Sequence, residues 1–209
     1  MTKRILVGSL AAGIVLFLWG CTAWLFLPTY TNFKDVLDEE AVVRTLNESL
    51  PDKGIYYFPK HPDQSPNSIA EWNRKVSVGP TGILIYNPQG HGPLGIREFG
   101  AALLTQWAAA LIAAFLLSQT LAGRPSFRSR WLFGFLIGCI ISLAGYLPDW
   151  IWHGYPSGFT LNLIRDMLLG WGTAGFILAY FIKTHQEETK EIKLEEKIKS
   201  EIRTKLHVQ

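Results

Sequence analysis

Gly123-Arg-Pro-Ser-Phe-Arg-Ser-Arg-Trp131 holds three arginines and no acid, and it separates two long apolar runs, Phe99–Leu121 and Leu132–Leu147. Translocating Arg across a bilayer is disfavoured, and orientation follows the Lys/Arg bias of short loops, so this stretch is expected on the cytoplasmic side. Counting outward from it gives a membrane α-helical chain. The expected architecture is a four-helix transmembrane bundle with a small extracytoplasmic α+β insertion and a cytoplasmic helical tail. Its parts are a signal-anchor helix at residues 1–27, the outer segment at 28–98, three spans within 99–183 joined by the basic loop at 122–131, and the tail at 184–209.

Gathering of the apolar residues into blocks decides the class. Ile5–Leu27 has no charge in 23 residues, which at 1.5 Å per residue is roughly 35 Å of helix, against a hydrocarbon core of about 30 Å. The formal charge is only +3, and the basic residues lie at expected cytoplasmic edges, so nucleic acid is not implied as a partner. Cys21 and Cys139 sit in different apolar blocks and frame neither a disulfide scaffold nor a metal site. Leu18-Trp19-Gly20-Cys21 has the outline of a lipobox. Bulky Trp19 and the apolar run after Cys21 favour an uncleaved anchor instead. Gly8 and Gly13 give this first helix a face for close packing, and Trp19 and Trp24 are expected near the outer interface.

The outer segment mixes both charge signs with turn residues. Asp38–Leu50 reads as a capped helix with Val42, Val43, Leu46 and Leu50 on one face. Ile55–Phe58 and Gly82–Tyr86 read as strands, with a short helix at Ser68–Lys75 between them. Ile83 and Ile85 alternate with Leu84 and Tyr86, so both faces of the second strand are apolar and need cover. A unit of this size buries a poor core and is expected to lean on the membrane helices. Trp19-Gly20, the exit at Pro28, Gly54-Ile-Tyr-Tyr-Phe-Pro59 and Gly79-Pro-Thr-Gly-Ile-Leu-Ile-Tyr86 together resemble a group of small multi-pass bacterial inner-membrane proteins of unknown function. The resemblance implies a bacterial inner (plasma) membrane location and brings no catalytic residue with it.

In the later spans, Gly134-xxx-Gly138-xxx-Ser142 forms a small-residue ladder suited to tight helix crossing, within the bundle or between copies. Pro148–Pro156 is expected to turn at the outer surface. The fourth block, Phe159–Ile182, carries Asn162, Arg165 and Asp166 near its outer end, where charge defaults to a functional hypothesis. With Asp149, His153 and Gln106 these make the one candidate ligand-binding group. It reads either as a polar clasp, for example Arg165 on Asp149, or as an anion pocket built on Arg165. His153 with an Asp as acid–base pair is the weakest option. His61, His91 and His153 lack metal-ligand spacing, and Gln89-Gly-His-Gly92 has no phosphate-loop lysine, so no metal or cofactor is expected. The tail's Leu194, Ile198, Ile202 and Leu206 make an i,i+4 stripe on a helix with balanced charge.

The function expected is that of a structural, accessory or partner-binding subunit of a membrane complex, touching the lipid bilayer and either a membrane-protein partner or a second copy. The alternative is a small-ligand or anion binding or transport component. An enzyme is the least supported reading, because no nucleophile, metal or cofactor motif accompanies it.

Overall fold

The fold is described from a computed structural model, for residues 2–26, 33–90, 92, 95–120 and 125–183, and for Thr189, Lys193, Glu196, Lys197 and Lys199. His91, Arg124 and the Leu194–Leu206 stripe expected of the tail lie outside the described residues.

The chain is mostly helical. Three helices are long and apolar enough to cross a membrane: Lys3–Phe26, Ile96–Gln119 and Phe127–His153. At most 28% of the apolar window of each is buried inside the protein. Leu6, Leu10, Leu18, Ile112, Phe115, Leu136 and Ile140 all face outward, an arrangement suited to hydrocarbon and costly in water.

In chain order, α1 (Thr2–Phe26) is followed by α2 (Glu39–Ser49), β1 (Gly54–Phe58), α3 (Pro66–Val78) and β2 (Gly82–Tyr86). Then come α4 (Ile96–Gln119) and α5 (Phe127–Ile141), a π-helical turn (Ser142–Tyr146), α6 (Leu147–His153) and α7 (Ser157–Phe181). Helix α7 packs against both α1 and α5, and α1 packs in turn against α4. Neighbouring helices alternate in direction. Gly8 near the start of α1 meets Phe181 at the end of α7, and Gly13 meets Trp107 of α4, while the ring of Phe17 lies 6.5 Å from that of Phe99. The start of α1 and the end of α7 therefore share one end of the bundle.

Small residues build the core: Ala12 and Leu16 from α1, Ala110, Ala113, Ala114 and Leu117 from α4, and Trp171, Ala174 and Leu178 from α7. The closest crossing is between Gly134 and Gly175, where a Cβ on Gly134 would stand 2.3 Å from the Cα of Gly175. Gly138 likewise lies under Met167 and Trp171. Ser142 is buried and donates its hydroxyl proton to the carbonyl of Gly138 at 2.7 Å. The small-residue ladder is thus occupied within the chain by α7. Gly20, by contrast, faces open space.

The third apolar run departs from its expected boundary. Instead of turning at Pro148, the helix continues to His153. The wide turn over Ser142–Tyr146 lets the Leu147 N–H donate to the carbonyl of Ser142. Pro148 then occupies the first turn of a new α segment, where its missing N–H is harmless. Gly154, at φ 70°, ends the helix in the left-handed conformation that glycine adopts without penalty.

Between α1 and α4, β1 and β2 pair antiparallel, with Ile55 opposite Ile85 and Tyr57 opposite Ile83. Asp38 caps α2 by accepting the Ala41 N–H at 2.9 Å. Helix α3 is longer than expected because Ser65 caps it ahead of Pro66, a pattern that places proline where its absent N–H costs nothing. No residue from 33 to 90 is buried. Contact with the bundle is made at Phe33, whose ring meets that of Phe159 at 5.7 Å.

Gly134→Ala should lower thermal stability in nanodiscs by roughly 1–3 kcal/mol, because the added methyl forces α5 and α7 apart. Gly20→Ala, made where nothing lies within 4 Å, should be neutral or slightly stabilising. Equal effects at the two sites would contradict the Gly134–Gly175 crossing.

Candidate functional site

Among the described residues, Asp149 and Asp166, two of the polar residues singled out in the sequence, make separate side-chain hydrogen bonds. Asp149 pairs with His153, one helical turn on, through a 2.8 Å contact between Oδ1 and Nδ1. Both side chains are partly exposed. Among the described residues no ion pair joins Arg165 to Asp149, and Arg165 is exposed. Asn162 is half-buried on α7, and Gln106 is half-buried on α4, which packs on α1. The Asp149–Arg165 clasp is therefore replaced by a local Asp149–His153 pair, a consequence of α6 holding residues i and i+4 on one face.

Asp166 has a different partner. It is 5% exposed, and its Oδ1 accepts the indole N–H of Trp19 at 2.6 Å. The same N–H reaches the Asp166 carbonyl at 3.2 Å. The indole lies over Gly170, where a Cβ would stand 2.9 Å from Trp19 Cδ1. The glycine four residues on from Asp166 thus makes room for the donor that the carboxylate uses. Helix α5 makes a similar attachment on its own side, where Trp131 donates its indole N–H to the carbonyl of Gly172 at 3.0 Å.

At the opposite end of α7 sits Arg130, only 2% exposed. Its Nε donates to the carbonyl of Ala179 at 3.3 Å, and its Nη1 donates to that of Pro125 at 2.9 Å. Ala179 lies in the last turn of α7, where carbonyls lack helical partners and the helix dipole is negative, so a guanidinium there is favoured twice over. Arg128, two residues earlier in the same basic stretch, is exposed. Of the two arginines of the stretch among the described residues, one has a structural task and one lies on the surface.

Chemically, these contacts describe how α7 is held in place. The Asp149–His153 pair has an acid–base partner set, yet no nucleophile is bonded to His153 among the described residues. No group of three or more His, Cys, Asp or Glu suited to a metal ion occurs among them either. Comparison with protein-family models, curated proteins and solved structures gives no match.

The sequence reading missed Trp19, Trp131, Gly170, Gly175 and Arg130 as bundle contacts. Trp19 looked like an interfacial residue and Arg130 like a topological charge, while Trp131 was only the end of the basic stretch. The available signal was the run of small residues in α7, Gly170, Ala174 and Gly175, on the faces that meet α1 and α5.

Arg130→Met should cost about 1.5–3 kcal/mol, the loss of charge-assisted hydrogen bonds to carbonyls that then stay buried. Arg130→Lys should recover only part of this, because an ammonium cannot span both carbonyls as the guanidinium fork does. Arg128→Met should stay within about 0.5 kcal/mol of the parent. Melting curves in detergent read all three.

Proposed function

We propose that this chain is a four-span protein of a bacterial inner membrane, with both termini cytoplasmic and residues 28–98 outside, acting as an accessory or partner-binding subunit of a membrane complex. In this reading α7 is the fourth span. It carries Arg165 and Asp166, and its position between α1 and α5 supports insertion by covering the Asp166 carboxyl that lipid would reject. Lys3, Arg4, Arg128 and Lys183 lie near the end of the bundle shared by the start of α1 and the end of α7, in keeping with a cytoplasmic face there.

The observation that carries the subunit role is the state of the outer segment. None of its described residues from 33 to 90 is buried, and Ile55 and Ile85, cross-strand neighbours, are 75% and 78% exposed. An apolar pair on an open two-stranded sheet is the surface that a second protein covers. Solubilised gently from native membranes, the chain should run as a complex with a stoichiometric companion. Ile55→Asp combined with Ile85→Asp should release that companion while leaving chain abundance unchanged. A clean monomer from native membranes contradicts the role.

A second reading, anion binding around Arg165, is favoured by the exposure of that guanidinium. Asp166 is engaged by Trp19 instead, which removes one member of the expected group.

A further inference from the structure

Helix α2 turns one side to the sheet and leaves another bare. Asn47 accepts the hydroxyl proton of Tyr86 in β2, and Glu40, Arg44 and Glu48, spaced four apart, fall on the same half of the helix. Across from them runs a shallow groove of about 490 Å³, walled by Val36, Leu37, Val42 and Leu46, with Asp38 and Thr45 as its polar members among the described residues. Both polar side chains are turned to the α2 backbone. Asp38 Oδ1 accepts the Ala41 N–H at 2.9 Å, and the Thr45 hydroxyl donates to the Ala41 carbonyl at 2.9 Å. What the groove offers is apolar contact: Leu37 is fully exposed, and Val36 and Val42 are exposed beside it.

The apolar strip continues onto the bundle. Leu37 lies four residues after Phe33, at most roughly 14 Å along an extended chain. The Phe33 ring meets that of Phe159 at 5.7 Å, and Phe159 meets Tyr155 at 5.9 Å. These contacts sit where α7 begins, and the antiparallel packing of α1 on α7 brings the last turn of α1 to the same end. Trp24, Phe26 and Trp152 are exposed there. Aromatic side chains at the end of membrane-length helices mark the level of the lipid headgroups, and Phe33 joins that group directly.

We propose that α2 is a membrane-surface helix, its Val36–Leu46 groove seated at the headgroup–acyl boundary of the bilayer that surrounds this end of the bundle. The proposal rests on the membrane-spanning reading of α1 and α4. Three glutamates against one arginine leave α2 at a net charge of −2, so apolar contact drives the seating and attraction to anionic lipid does not. With lipid on one side and the Asn47–Tyr86 hydrogen bond on the other, α2 fixes the height of the sheet above the membrane.

The test uses the full chain with Cys21→Ser and Cys139→Ser, one copy per phosphatidylcholine nanodisc. Single cysteines Leu37→Cys, Val42→Cys, Arg44→Cys and Ile112→Cys carry an environment-sensitive dye, and nitroxide-bearing lipid is the quencher. Ile112, exposed on α4, reports on the bundle, and Arg44 reports on the far side of α2. Labels at Leu37 and Val42 should be quenched at least about threefold more strongly than the one at Arg44, as for a helix lying in the interface. Should the label at Val42 disturb α2, the one at Leu37, ahead of the helix, decides alone. Quenching at Ile112 with Leu37 no more quenched than Arg44 would overturn the surface helix and leave the spanning reading intact. No quenching at Ile112 would overturn both. Shielding of Leu37 without lipid quenching, seen only with two copies per disc, would assign the groove to a second copy and overturn the proposal.

Discussion

The indole of Trp19 against the carboxylate of Asp166 joins positions 147 residues apart in sequence at 2.6 Å, and the arrangement of the bundle depends on it. Asp166 is the only buried acid among the described residues. A carboxyl group away from water needs a donor, and the donor must come from another helix, because the backbone N–H groups of α7 are used within the helix. Trp19 meets that need. Its indole fits only because Gly170 leaves the space.

Helix α7 accordingly occupies the interior. Its buried residues run from Thr160 to Ala179 on the faces that meet α1 and α5, and each neighbour reaches it through an indole N–H and a glycine contact. Arg130 closes the far end by holding the Ala179 carbonyl. Three of the helices are long and apolar enough to cross a bilayer, and in a bilayer hydrophobic burial drives helix association weakly. Close backbone approach and hydrogen bonds take its place. The glycines and alanines at these crossings are the sequence form of that requirement, and the bulky residues Leu6, Leu10, Phe115 and Ile140 are turned outward. The stretch from 33 to 90 differs: both of its helices are capped, yet none of its residues is buried.

Local signals in the sequence were good guides where local physics decides. Charge-free runs located the long helices, and Gly and Pro bracketed both strands and the end of α2. The ladder of Gly134, Gly138 and Ser142 marked a crossing face. The less legible features depend on pairings between distant residues or on backbone detail. Trp19 carries no local mark that distinguishes an interfacial indole from one aimed at Asp166. Arg130 looks the same as Arg128 until α7 is laid against α5. Pro148 reads as a break because a proline normally ends an α-helix, and the π-helical turn that accommodates it leaves no trace in hydropathy. The polar set of Asp149, His153, Asn162, Arg165, Asp166 and Gln106 was legible as a list of costly residues but not as a geometry, since helical phase sends neighbouring positions to different partners.

A double-mutant cycle on Trp19→Phe and Asp166→Ala, read by thermal unfolding of the full chain in nanodiscs, tests the placement of α7 most directly. A coupling of about 0.6–1.7 kcal/mol, in the range of interhelical hydrogen bonds in membranes, is the predicted result. Additive effects of the two substitutions, with a coupling below about 0.3 kcal/mol, would contradict it.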